Sequence, residues 1–167
     1  MTVRTEVYST WPKTVAVPHQ GKWVSFLEDK SLQRGRLYAF TDGSSNGGYG
    51  AVLVESNGSI ECVSGWKEPT STRNVGAELN ALILALEAAP NGREVFIVSD
   101  YLGIAAWMTG NWSIKDQEVQ ATITRAKELV DQKDLDVTFC HHKGHQRDNS
   151  AFTTWNSKAD ELASRKS

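Results

Sequence analysis

The sequence predicts an α/β fold built around a mixed β-sheet, and three features carry that expectation. Between residues 37 and 67, three short strand-like segments are separated by turn chemistry. From Asn74 the apolar period changes to that of a helix. The run Val95-Phe96-Ile97-Val98 then has the solid apolar character of a strand buried on both faces. A length of 167 residues suits one ordinary domain with a modest extension and is too short for two full domains.

Residues 1–36 contain Pro12, Pro18, Gly21, Trp11 and Trp23 and no long periodic run, so they read as an N-terminal extension preceding a domain over residues 37–167. Within the extension, Lys13–Val17 is expected as an edge strand and Ser25–Leu32 as a short helix. The domain opens with a strand at Leu37–Thr41. The Gly-rich turn segment Thr41–Gly48 leads to a second strand at Tyr49–Glu55. The hairpin signal Ser56-Asn57-Gly58-Ser59 precedes a third strand at Ile60–Lys67, which completes an antiparallel meander. In Asn74–Ala89, Leu79, Leu82, Ile83 and Leu86 fall on one helical face, and Pro90-Asn91-Gly92 stops the helix. A buried strand at Glu94–Ser99 and a short helix at Tyr101–Met108 follow. Ser113-Ile114-Lys115-Asp116 matches a capping box, which places Ser113 at the start of a helix burying Val119, Ile123, Ala126 and Val130. Leu135–Cys140 is the last strand, and Trp155, Ala159, Leu162 and Ala163 stripe a final helix. The order βββαβα(α)βα gives a sheet antiparallel at one end and parallel at the other, covered by helices.

Composition excludes several classes. Apolar residues at 40% and charged residues at 23% are globular values. No apolar run is long enough to span a membrane, and MTVRTEVYST lacks the apolar core of a secretory signal. Cys62 and Cys140 form neither a CxxC nor a zinc-finger pattern and fit a reducing, cytoplasmic setting. The net charge of −2 is unevenly spread. Residues 1–36 hold six Lys/Arg and three Asp/Glu, net +3, while residues 37–167 hold twelve and seventeen, net −5. An acidic domain binds nucleic acid only where cations neutralise its acid.

Four acids stand at informative places. Asp42 ends the first strand before the Gly-rich turn, Glu78 lies in the first turns of the long helix, Asp100 follows the buried strand, and Asp160 lies inside the last helix. Each alone has an ordinary reading as a turn former, a helix-dipole partner or a solvated face. In a parallel-type arrangement strand ends and helix N-termini converge at one edge of the sheet, and acids contributed from such points can meet. Carboxylates gathered there persist only around a cation, and oxygen-only ligands select Mg²⁺ or Mn²⁺.

These residues resemble a known family. Tyr38-Ala39-Phe40-Thr41-Asp42-Gly43-Ser44 followed by Gly47-Gly48-Tyr49-Gly50-Ala51 resembles the opening of type 1 ribonuclease H. Ala77-Glu78-Leu79-Asn80-Ala81 with Ala85-Leu86-Glu87-Ala88 resembles its first helix, and Val98-Ser99-Asp100 its third acidic motif. Lys143-Gly144-His145, Asn156 and Asp160-Glu161-Leu162-Ala163 resemble its C-terminal motif. The resemblance covers residues 37–165, is of the bacterial or phage type, and consists of four blocks in order.

The resemblance implies a five-stranded mixed sheet flanked by helices and a metal-dependent endonuclease. Such an enzyme cuts the RNA strand of RNA–DNA hybrids with two Mg²⁺ ions, Mn²⁺ being a substitute, and leaves 5′-phosphate and 3′-hydroxyl ends. Asp42, Glu78, Asp100 and Asp160 would be the metal-binding acids. His145 would assist proton transfer or product departure. Gly43, Ser44, Asn74, Lys143 and Asn156 would contact substrate; backbone amides of the Gly43–Gly48 turn and the Asn74 side chain are candidates for reading the 2′-hydroxyl. Asn74 has a helix N-cap as its alternative role. His141 and His142 receive no role. No obligatory protein partner is evident and a monomer is expected. The other readings are a different nuclease of the same superfamily and a non-catalytic hybrid-binding module. Four departures stand out: no Lys- and Trp-rich protrusion follows the third motif, the Gly-rich turn is short, Tyr101-Leu102 replaces a polar pair after Asp100, and a long loop, Gln146–Trp155, separates His145 from Asp160. The basic extension with Trp11 and Trp23 is a candidate replacement for the missing protrusion.

Overall fold

A computed structural model of the chain describes residues 2–8, 15–19, 22–26, 37–55, 60–110, 112–142 and 151–164. The strands are β1 (Thr2–Tyr8), β2 (Val15–His19), β3 (Lys22–Phe26), β4 (Leu37–Gly43), β5 (Gly48–Glu55), β6 (Ile60–Trp66), β7 (Glu94–Ser99) and β8 (Asp136–His142). The helices are α1 (Asn74–Ala88), α2 (Leu102–Met108), α3 (Gln117–Gln132) and α4 (Ala151–Ser164). Residues 37–164 follow the expected βββαβααβα order. The main sheet runs β1-β8-β7-β4-β5-β6. β4, β5 and β6 form the antiparallel meander, while β7 and β8 continue in parallel from β4.

Side-chain alternation assigns the two faces of the sheet. Leu37, Ala39, Val95 and Ile97 face a core closed by Leu79, Leu82 and Leu86 of α1 and Ile123, Ala126 and Val130 of α3. Tyr38, Phe40, Phe96 and Val98 face the other way, against Ala159 and Leu162 of α4. This two-sided burial explains the unbroken apolar run in β7. No helix among the described residues is long and apolar enough to cross a membrane.

The N-terminal segment departs from expectation. The strand that joins the main sheet is Thr2–Tyr8, in parallel with β8 and in register from Thr2↔Asp136 to Tyr8↔His142. Val15–His19 pairs instead with Lys22–Phe26 in a separate two-stranded sheet, so Ser25 and Phe26 are extended rather than helical. The rest of the expected helix, residues 27–32, lies outside the described residues, as does the hairpin turn at 56–59. The β-branched and aromatic residues of TVRTEVY and KWVSF are what favour extended chain at both places.

Two boundaries are corrected. α3 is capped by Asp116, whose Oδ1 accepts from the N–H groups of Glu118 and Val119 at 2.9 and 3.1 Å. Ser113 lies outside the helix, because the charged carboxylate is the stronger acceptor for the exposed first-turn donors. α4 begins at Ala151, so the expected loop Gln146–Trp155 is helical over its second half. Substituting Asp116→Ala is expected to cost about 1 kcal/mol in urea unfolding. Ser113→Ala is expected to stay within about 0.5 kcal/mol of the parent chain, and the opposite ranking would return the cap to Ser113.

Candidate active site

Strand register brings the acids to one edge. Across the parallel strands Thr41 is level with Ser99, and Ser99 with His141. Asp42 and Asp100 each lie one residue beyond, at the carboxyl ends of β4 and β7, where ligands bind in open α/β sheets.

Two glycines set how closely the helices approach this edge. Gly43 shares the alternation of Leu37 and Ala39, so it meets α1, and a Cβ added there would stand 2.3 Å from Ala77 C and Glu78 N. Only a bare α-carbon lets α1 press its backbone against β4 and place Glu78 beside Asp42. Asp42 is paired across the meander with Gly50. A Cβ at Gly50 would stand 2.5 Å from Leu162 Cβ, so this glycine admits α4 and with it Asp160. The turn then ties down the end of α4. Ser44 Oγ donates to Ala163 O at 2.9 Å, and Asn46 Nδ2 donates to Ser164 O at 3.3 Å, satisfying two C-terminal carbonyls.

The result is a cluster. Carboxylate oxygens of Asp42, Glu78 and Asp100 lie within 4.8 Å of one another. Asp42 and Glu78 are buried and Asp100 half-buried. The Gly43 N–H donates to Asp42 Oδ1 at 3.0 Å. Burial, then the charges of Asp100 and Asp160, push Asp42 up to about 7 from 3.8. Glu78 is raised well above the usual carboxylate range, first by burial and then by the Asp42 and Asp100 charges. Their mutual hydrogen bond lowers Asp42 and raises Glu78. Glu78 Oε2 is buried without a hydrogen-bond partner. An oxygen-only donor set with an orphaned buried oxygen and no cationic side chain in the triad fits a hard divalent cation.

Asp160 occupies a different position from the other three. It lies within hydrogen-bonding reach of Asp42 but outside the close triad, and it is exposed on α4. Asn156, one helical turn earlier, is buried, and its Oδ1 lacks a partner. Asn74 is the first residue of α1 and exposed. The N-cap position belongs to Arg73, which has a φ of 51° and makes no side-chain capping bond, so the alternative cap role of Asn74 is not adopted. Lys143 and His145 lie outside the described residues.

Tyr101 was not among the expected site residues. Its N–H donates to Ser99 Oγ at 3.0 Å, which fixes the backbone around Asp100. Burial, then the Glu78 charge, raises its phenol. The sequence signal was its place directly after an acid at a strand end.

The RNase H family model matches residues 34–167. Among solved structures, RNase H1 from the halophilic archaeon Halobacterium salinarum NRC-1 is 29% identical, with a TM-score of 0.62 over 77% of this chain and 94% of that one. LC11-RNase H1, isolated from compost by a metagenomic approach, is 24% identical, with a TM-score of 0.61 over 76% of this chain and 91% of that one. The same LC11 protein, solved in complex with an RNA/DNA hybrid, superposes with a TM-score of 0.58 at 22% identity, over 75% of this chain and 91% of that one. No curated protein matches the chain significantly.

The raised acids fix the sign of a pH effect. Between about 4 and about 7 the folded chain holds a proton on Asp42 that the unfolded chain releases, so metal-free stability falls as pH rises through that window. Thermal unfolding in chelator is expected to show a chain less stable at pH 8 than at pH 5, by an amount on the order of 1–4 kcal/mol. Asp42→Asn is expected to flatten that slope and to raise stability at pH 8. A less stable Asp42→Asn protein at pH 8 would contradict the crowding.

Proposed function

The chain belongs to the RNase H family, and on that footing we propose that it is an endoribonuclease that hydrolyses the RNA strand of RNA–DNA hybrids, leaving 5′-phosphate and 3′-hydroxyl ends. The observation that carries this reading is the convergence of Asp42, Glu78 and Asp100, from three separate elements, within 4.8 Å. The complex of LC11-RNase H1 with an RNA/DNA hybrid supports the choice of substrate. Residues 37–167 form the catalytic domain and residues 1–36 the extension, in a monomer working in the cytoplasm.

Asp42, Glu78 and Asp100 would hold divalent cations, two Mg²⁺ in this reading, with Asp160 completing the site from the Asp42 side. Bound there, Mg²⁺ supplies charge neutralisation, an activated water and stabilisation of the leaving oxygen. The chain's own groups do the rest. Glu78 gives up its proton as the site loads, since its raised affinity for that proton stems from burial and the neighbouring carboxylates. Burial of Asp42 and Glu78 keeps bulk water from their oxygens and strengthens every charge interaction made there. In the Gly43–Gly48 turn the N–H groups of Gly43, Ser44, Gly47 and Gly48 donate within the protein, so any amide offered to the strand comes from Ser45 or Asn46. Asn74, exposed one turn before Glu78, is placed to meet a 2′-hydroxyl, which distinguishes RNA from DNA. Ser44 holds the turn in the shape that meets the strand, its N–H donating to Gly48 O at 2.9 Å and its hydroxyl to Ala163 O at 2.9 Å. Lys143 grips phosphate, Asn156 supports the strand from α4, and His145 moves a proton or speeds product departure.

The test is incubation of the full chain with labelled RNA–DNA hybrid, duplex RNA and duplex DNA, with and without Mg²⁺. Cutting is expected only of the RNA strand of the hybrid and only with Mg²⁺. Asp100→Asn is expected to lower the rate roughly 100-fold or more while keeping the fold by circular dichroism. Cleavage of duplex DNA but not hybrid would assign another nuclease activity, and tight hybrid binding without cutting would assign a binding module.

A further inference from the structure

The turn after Asp42 and the last turn of α4 are joined through one side chain. Asn46 is exposed, yet both polar atoms of its side chain, and its carbonyl, are used within the protein. Its Oδ1 accepts from the Gly48 N–H at 2.8 Å and also meets the Ser44 hydroxyl. Its Nδ2 donates to Ser164 O at 3.3 Å. Its carbonyl accepts from Trp66 Nε1 at 2.7 Å. Ser164 closes the chain of bonds, its Oγ donating to Asp160 O at 2.9 Å. Three elements therefore meet at Asn46: the turn between β4 and β5, the end of β6 and the end of α4. Gly47, with a φ of 98° and a Cβ position 2.1 Å from Lys67 O, lets the turn lie flat against the chain that leaves β6.

Asp160 is the acid that depends on such a tie. Asp42 and Glu78 are buried, whereas Asp160 rides an exposed helix face one turn before Ser164. α4 rests on the sheet through Ala159 and Leu162. It crosses at Gly50, the strand partner of Asp42, where an added Cβ would stand 2.5 Å from Leu162 Cβ and 3.5 Å from Ala159 O. Apolar packing is non-directional, so it sets the distance of α4 from the sheet more firmly than its position along its own axis. Hydrogen bonds are directional, and bonds to the last carbonyls fix that axial position. Asparagine suits the task because its short side chain both accepts and donates. Serine at 46 would keep an acceptor for the Gly48 N–H but fall short of Ser164 O, and alanine would keep neither contact.

Resting on the hybrid-nuclease reading, we propose that Asn46 is a positioning residue for Asp160: it locks the last turn of α4 to the turn that follows Asp42, and so holds the fourth acid where it completes the cation site. Its side chain acts through α4 and not by touching the nucleic acid.

The test is a double-mutant cycle on the full chain. Asn46→Ser and Asn46→Ala are each made alone and combined with Asp160→Asn. The readouts are Mn²⁺ affinity by calorimetry, and kcat and KM on labelled RNA–DNA hybrid with Mg²⁺. Each Asn46 variant alone is expected to lower Mn²⁺ affinity and kcat about 3- to 10-fold, with KM for hybrid within about threefold of the parent. In the Asp160→Asn background the same substitutions are expected to change Mn²⁺ affinity and kcat by less than about twofold, because the group they position is gone. Parental Mn²⁺ affinity and kcat in both single variants would overturn the proposal. So would losses of equal size in the Asp160→Asn background, or a change confined to KM, which would make the Asn46 side chain a substrate contact. Parental Mn²⁺ affinity in Asp160→Asn would remove Asp160 from the cation site, and the proposal with it. A parent chain that does not cut hybrid overturns the nuclease reading by itself, and the Mn²⁺ affinity cycle then still decides whether Asn46 acts through Asp160.

Discussion

Carboxylates packed within 4.8 Å of one another repel, and burial deprives them of the water that would screen the repulsion. The fold around Asp42, Glu78 and Asp100 is arranged to impose that crowding. Parallel register sets the ends of β4 and β7 side by side. Gly43 removes the side chain that would keep α1 away, and Gly50 does the same for α4. The two apolar cores, one on each face of the sheet, supply the stabilisation that offsets the conflict. Burial first and the neighbouring carboxylate charges second displace Asp42 and Glu78 upward, so without a cation the site holds protons more tightly than free carboxylates do. A structure that spends stability on an electrostatic conflict at one edge is built to have that conflict relieved by a ligand of opposite charge.

Much of the fold was legible because its signals are local. The apolar run of β7 and the stripe of Leu79, Leu82 and Leu86 in α1 each declare their element without reference to the rest of the chain. The acids were legible from their places at strand ends and on helices. The reasons they meet were not, since the close approaches at Gly43 and Gly50 depend on helices distant in sequence. Ser113 and Asp116 show another limit. Both are good caps, and the choice depends on which one stands next to free N–H groups once α3 packs Val119 and Ile123. The extension was harder still. β1 owes its position to the open edge of β8, a partner more than a hundred residues away, and no spacing within residues 1–36 encodes that pairing.

Asp160 and Tyr101 show how the site is graded from inside to outside. Asp42 and Glu78 of the triad are buried and Asp100 half-buried, and Asp160 reaches Asp42 from an exposed helix face. Tyr101 stands at the rim, held by Gly103 and Trp107. Carboxylates are thus concentrated at the centre, and beyond Tyr101 lie Trp107 and Trp112, which border a hollow also lined by Lys115 and Asp116.

The most direct measurement is the anomalous scattering of crystals of the full chain soaked in Mn²⁺. The predicted result is an anomalous peak coordinated by oxygens of Asp42, Glu78 and Asp100, absent from crystals of Asp42→Asn soaked in the same way. Crystals with the three carboxylates in place and no anomalous peak among them at saturating Mn²⁺ would contradict the cation-bound cluster on which this account of the protein rests.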